Sequence, residues 1–173
     1  ILINGENMIF VTVGTHEQQF NRLIQKIDEL RRENVIDEEV IIQTGFSTYK
    51  PAYCTWQKLF PYCDMEKYIN EARIVITHGG PSSFIMPLQL GKIPIVVPRQ
   101  KKFEEHVNDH QMVFSNAVSA RYGSLIVVEH IESLSKTIRN YEKIIKDMNT
   151  GITSNNEKFC LEFTKIVRQL LKR

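Results

Sequence analysis

The chain reads as an α/β domain, a parallel sheet covered by helices on both faces. Short β-branched runs and helix-spaced apolar stretches alternate along residues 8–173, the order that a parallel sheet with crossover helices produces. The strand-like runs are compact and apolar, as for strands buried on both sides. Glycines and prolines punctuate the junctions between them.

Met8–Val13 (MIFVTV) is the first such run, broken by Gly14-Thr15. Phe20, Leu23, Ile24, Ile27 and Leu30 then recur at helical spacing and predict an amphipathic helix over roughly 17–32. Glu39–Thr44 reads as a second strand closed by Gly45, and the aromatic-rich stretch Phe46–Tyr62 as a loop with a short strand near Thr55–Leu59. Asp64 is the expected N-cap of a helix through Ala72. Arg73–Thr77 is the next strand, and the pair Gly79-Gly80 opens a helix that Gly91 ends. Ile93–Pro98 is a strand bracketed by prolines, followed by a long helix over about Glu104–Tyr122 and a short strand Leu125–Val128. Ile131, Leu134, Ile138, Tyr141, Ile145 and Met148 predict one further helix. A loop over Asn149–Asn156 leads to a last one, with Phe159, Phe163, Ile166, Val167, Leu170 and Leu171 inward and a basic end at Lys172-Arg173. Residues 1–7, ahead of Met8, read as an extraneous remnant, leaving 8–173 as a single domain.

Bulk properties narrow the function. The 173 residues are 42% hydrophobic and 24% charged, as in an ordinary globular domain. A net charge of +2 gives no basis for nucleic-acid binding. No run approaches the roughly 18–20 apolar residues of a membrane span, and no signal peptide is recognisable. Cys54, Cys63 and Cys160 fit neither a disulfide framework nor a zinc pattern, which suggests reduced thiols in a cytoplasmic protein.

The most informative stretch is His78-Gly79-Gly80-Pro81-Ser82-Ser83, between a strand and a helix start. Glycines let a ligand approach the backbone, and first-turn amides with the helix dipole favour an anion. His78, Ser82 and Ser83 add side-chain donors, so a phosphate or diphosphate is expected here, with the His78 imidazole turned toward it. The alternative is a tight turn in which His78 is a hydrogen-bonded bystander. Gly14-Thr15-His16-Glu17 follows the first strand; it lacks the further glycines of a dinucleotide fingerprint and the Gly-Lys-Ser/Thr of a P-loop. His16 and Glu17 are acid/base candidates there, the alternative being an ordinary turn capped by Thr15. His106 and His110 stand four apart on the expected helix, a spacing suited to metal. Val107, however, occupies the place where the zinc protease motif needs Glu. Glu105, His106, Asp109, His110 and Gln111 read better as a polar cluster for a hydroxyl-rich ligand, with no metal and no organic cofactor expected.

Phe10–Thr15 with Phe20 and Leu23-Ile24, then Ile76–Gly80, Gly91–Pro98 and His110-Gln111 resemble the donor-binding half of GT-B glycosyltransferases of family 28. The likeness extends to split enzymes of that family, the dolichol-pathway UDP-GlcNAc transferase small subunit and bacterial capsule and exopolysaccharide relatives. It implies a Rossmann-like sheet equivalent to the C-terminal domain of a GT-B enzyme, and inverting hexosyl transfer from a UDP-sugar to a polyprenyl-linked saccharide. Gly14, Thr15 and His16 then correspond to the loop reaching the diphosphate and acceptor, and His78, Gly79, Gly80, Ser82 and Ser83 to the diphosphate cradle. Gln111 with His110 or Asp109 corresponds to the donor-sugar contacts, and Tyr62 to the uracil platform. Met86 departs from the pattern, because several relatives carry a ribose-binding Glu there. The resemblance further implies a membrane-anchored acceptor-binding partner subunit, and through it a peripheral location at the inner face of the membrane. A non-catalytic nucleotide-sugar-binding regulatory subunit is the competing reading.

Overall fold

The computed structural model describes residues 8–148; the expected remnant 1–7 and the expected last loop and helix lie outside them. Six strands form one parallel sheet: β1 (Met8–Thr12), β2 (Glu39–Gln43), β3 (Thr55–Gln57), β4 (Ile74–His78), β5 (Ile95–Val97) and β6 (Ile126–Val127). Their spatial order is β3-β2-β1-β4-β5-β6. Succession along the chain therefore reverses between β1 and β4, and the loops leaving those two strands part to open a crevice, the usual ligand site of such sheets.

Alternation along β1 shows how both faces are filled. Ile9 and Val11 pack in a core with Leu23, Ile24 and Ile27 of α1 (Asn21–Arg32), while Met8 and Phe10 pack with Ile69 of α2 (Tyr62–Glu71). A third cluster joins Phe84 and Leu88 of α3 (Pro81–Gln89) to Val96 and Leu125, with Phe114 of α4 (His110–Tyr122) against it. The first core continues to Leu134 and Ile138 of α5 (Leu134–Arg139) and to Tyr141 at the head of α6 (Tyr141–Ile145). Among the described residues no helix is long and apolar enough to cross a membrane.

Four local expectations change. α1 begins at Asn21 rather than near residue 17, because the Gln18 and Gln19 carbonyls accept from the Arg99 guanidinium at 2.9 Å each instead of from a following helical turn. α2 begins at Tyr62 behind Pro61, so Asp64 lies within its first turn and is not its cap. The helix expected from Glu104 begins at His110. Ahead of it Lys101–Phe103 forms a 3₁₀ turn ended by Glu104 in the left-handed region (φ 57°), and Asp109 accepts the Lys101 N–H at 2.8 Å. The helix expected through 131–148 is broken at Asn140, whose side chain donates back to the Lys136 carbonyl.

Candidate functional site

The crevice at the β1/β4 reversal is a cleft of about 540 Å³. It is bordered by Gly14, Thr15 and His16 from the loop after β1, by His78, Ser82 and Ser83 from β4 and α3, and by Tyr62 at the head of α2. Seven of the expected site residues thus meet around one opening. Phe60, Met65 and Met86 give one wall an apolar character, and Thr12 and Gln43 supply polar atoms. Gln43 holds this part rigid: its Nε2 donates to Thr12 Oγ1 at 3.1 Å and its Oε1 accepts the Phe60 N–H at 2.9 Å.

His78 borders the cleft with little of its surface open to it. It is 7% exposed, wedged between two glycines: a β-carbon on Gly14 would overlap its Nε2, and one on Gly80 would overlap its Cε1. The Gly79 position is equally tight, with an ideal β-carbon 2.8 Å from Gln111 Cβ. These glycines therefore make room for two buried side chains rather than for close approach of a ligand. Only Gly14 also needs its freedom for backbone reasons, at φ +75°.

The bonding around His78 defines its proton. Nδ1 lies 3.0 Å from the Gly80 N–H, which it accepts, and at a longer 3.4 Å from Gln111 Oε1; the shorter bond assigns the neutral ring's hydrogen to Nε2, which donates it to Ser83 Oγ at 2.8 Å. Burial, and then the positive charge of Arg99, push the ring's pKa down to about 4. His78 is accordingly a neutral bystander to charge, and what it offers the cleft is indirect: with the lone pair of Ser83 Oγ occupied, the Ser83 hydroxyl hydrogen is free to point outward. The Gly80 amide is spent on His78 and Pro81 has none. The donors left at the head of α3 are the Ser82 amide, a first-turn N–H without an intrahelical acceptor, and the two serine hydroxyls.

His16 borders the same cleft from the other side, its ring centroid 5.1 Å from that of His106. Its Nδ1 accepts the Gln18 N–H at 3.2 Å, so the neutral ring again presents Nε2–H, a donor and not a base. Burial first, then Arg99 and His106, hold its pKa below the usual histidine value, against a small opposing effect of Glu17. Glu17 is exposed and does not border the cleft.

The polar cluster at 105–111 divides. Glu105 is fully buried and receives Arg22 through two 2.8 Å bonds and the Gln100 N–H at 3.0 Å, so it is not available to a ligand. His106 lies in the loop before α4 and His110 in its first turn, ring-stacked on Phe114. The two histidines therefore do not share a helix face. Asp109 is exposed and accepts the Lys101 N–H through Oδ1. Gln111 is 7% exposed; its Oε1 accepts from the Gly79 N–H at 3.1 Å and the Arg99 N–H at 3.2 Å, leaving only its NH₂ for a bound sugar. Cys54 is kept protonated, its thiol pushed up to about 12 by burial and then by Asp28.

Sequence reasoning missed Arg99. It is completely buried and donates to the carbonyls of Val13, Gln18, Gln19 and Glu105. The available signal was a lone arginine directly after an apolar strand, Ile95-Val96-Val97-Pro98. Polar Thr12, Gln43 and Thr77 at strand ends were a second sign, since such positions in buried strands face a site or its support. A larger groove of about 900 Å³ runs along α1 past Arg22, Lys26, Glu29, Tyr49 and Tyr53. It includes neither glycine loop, and the cleft at the strand ends is the better ligand site on topology.

A family model described as the glycosyltransferase family 28 C-terminal domain matches residues 8–170. Among solved structures, the chain is similar to the glycosyltransferase SnogD from Streptomyces nogalater, at 20% identity and a TM-score of 0.51, covering 79% of this chain and 35% of that one. It is also similar to the glycotransferase of kitacinnamycin, at 16% identity and a TM-score of 0.60, covering 80% of this chain and 35% of that one. The chain thus spans about a third of the length of these structures, and at such identities the likeness is one of fold. No curated protein sequence matches it significantly.

Proposed function

The chain belongs to the glycosyltransferase family 28 C-terminal domain family, and from that premise we propose that it is the donor-binding subunit of a UDP-sugar-dependent, inverting hexosyltransferase. The observation that carries this reading is the convergence of the Gly14–His16 loop, the head of α3 and Tyr62 on one cleft. The diphosphate lies against the Ser82 amide and the Ser82 and Ser83 hydroxyls, at the positive end of α3, with the His16 Nε2–H opposite. The uracil packs toward Tyr62, and the sugar reaches the Gln111 NH₂. Met86, in the cleft wall, makes the ribose contact apolar where a carboxylate would have hydrogen-bonded it.

In the transition state negative charge grows on the β-phosphate as the bond from anomeric carbon to oxygen breaks. Fixed donors already aimed there lower the barrier without having to reorganise. The acceptor hydroxyl must lose its proton on the opposite side of the anomeric carbon. His16 has no free lone pair for this, so it serves as a donor, and Glu17 is exposed outside the cleft; we place the base on the acceptor-binding half. We place the acceptor-binding half on a membrane-anchored partner subunit and take the acceptor to be a polyprenyl-linked saccharide in surface-polysaccharide synthesis. This would hold the chain at the inner face of the membrane.

The test is turnover on a lipid-linked acceptor with the chain alone and with its partner added. Donor binding by both but transfer only by the complex is expected; full turnover by the chain alone contradicts the split-enzyme reading. Transfer by the complex that survives loss of both Ser82 and Ser83 hydroxyls would favour the regulatory-subunit alternative. Glu17→Gln should leave transfer by the complex unchanged; abolished transfer with donor affinity intact would restore Glu17 as the base.

A further inference from the structure

We propose that Arg99 is a positioning residue that also acts as the buried counter-charge of the diphosphate, a guanidinium that holds both loops of the cleft and faces the nucleotide's charge without touching it. This rests on the nucleotide-binding reading above.

Four backbone carbonyls surround Arg99. Nη2 donates to Val13 O at 2.9 Å, and Nη1 to Gln18 O and Gln19 O at 2.9 Å and to Glu105 O at 3.1 Å. Three of these belong to the segment that carries Gly14 and His16. Its own backbone N–H goes to Gln111 Oε1, which also accepts the Gly79 N–H. One residue therefore ties the loop after β1 to the turn after β4. Val13, to which the guanidinium is bonded, directly precedes the glycine that packs on His78.

None of those partners carries charge. The carboxylate that acts on Arg99, Glu105, is held by Nε and Nη2 of Arg22, so two guanidiniums share one anion and one positive charge is left over. The Arg99 ring contact, 4.8 Å from the Phe20 centroid, and its complete burial keep solvent ions from screening it. Its field reaches the cleft: after burial, Arg99 lowers the pKa values of both His16 and His78, while Glu105 acts on Arg99 itself and favours its charged form. With both imidazoles neutral, Arg99 is the fixed cation behind the site. Lys101 and Lys102 are exposed and open to screening, and exposed Glu17 has the opposite sign. A buried charge acts over a longer distance than a surface one because the medium between is less polarisable.

The experiment is calorimetric titration of the full chain with UDP and with uridine, comparing the unaltered protein with Arg99→Met and Arg99→Lys. Arg99→Met should weaken UDP at least about tenfold more than uridine, a charge-selective loss. Arg99→Lys, which keeps the charge but not the fork, should retain most of the UDP preference while weakening both ligands. Equal loss of UDP and uridine in Arg99→Met makes the residue a packing element only and overturns the proposal. If the variants do not fold, salt dependence decides. UDP affinity of the unaltered chain should change less than about threefold between low and high salt, whereas a steep fall would assign the charge to surface lysines. An unaltered chain that binds no UDP overturns this proposal together with the nucleotide reading; one that binds UDP without the charge-selective loss overturns this proposal alone.

Discussion

Gly14 and His78 are separated by 64 positions, yet the glycine's missing side chain is what gives the imidazole its place, since a β-carbon there would overlap Nε2. Because Gly14 also sits at φ +75°, Gly14→Ala combines a backbone penalty of about 1–2 kcal/mol with expulsion of the ring. Loss of UDP binding in calorimetry and a lowered melting temperature are expected. Gly91→Ala is the matched control. It has the same φ but nothing within 4 Å of the added carbon, so it should cost about 1 kcal/mol and leave UDP affinity as it was.

The buried His78 makes stability depend on pH. Its pKa is about 4 in the folded chain against 6.5 for the free side chain, so the unfolded chain binds more protons between those values. The contribution is complete above pH 6.5 and is lost as pH falls through 4, a swing of about 3 kcal/mol. His16, also lowered, adds to the same slope. Urea unfolding across this window should show the decline, and His78→Asn should flatten it.

Ser83 links His78 to the ligand. Ser83→Ala removes the acceptor of the Nε2–H and one hydroxyl donor to the diphosphate. A stability loss of about 1 kcal/mol and a UDP affinity loss of about tenfold are expected. Retained affinity in a titration would place the diphosphate elsewhere.

Asp28 serves the fold away from the cleft. It is 2% exposed and accepts from Tyr49 Oη at 2.7 Å, Ala52 N at 3.0 Å and Tyr53 N at 2.7 Å, bolting the segment before β3 onto α1. Asp28→Ala leaves those donors unpaired and should cost about 2–4 kcal/mol in thermal unfolding, with UDP affinity nearly unchanged.

The sheet was legible because its signals are local. Apolar runs such as Met8–Val13 and Ile74–Thr77 are strands whatever surrounds them, and the loops at their carboxyl ends mark the crevice. The cleft's outer residues were legible for the same reason. What local pattern could not show is commitment to distant partners. Glu105 and His106 read as helical and ligand-facing, yet Glu105 is drawn inward by Arg22, 83 positions away. His78 read as a donor because the glycines beside it suggested room for a ligand, when that room is filled by the imidazole itself. Arg99 reaches Val13 across 86 positions, and no spacing rule encodes such a pairing. Helix starts moved for a similar reason, with the Gln18 and Gln19 carbonyls diverted to that guanidinium.

A crystal of the chain grown with UDP tests the site most directly. The diphosphate should lie between the His16 imidazole and the Ser82 and Ser83 hydroxyls, with His78 still behind Ser83. Nucleotide found in the groove along α1, or a cleft left empty at saturating UDP, would contradict it.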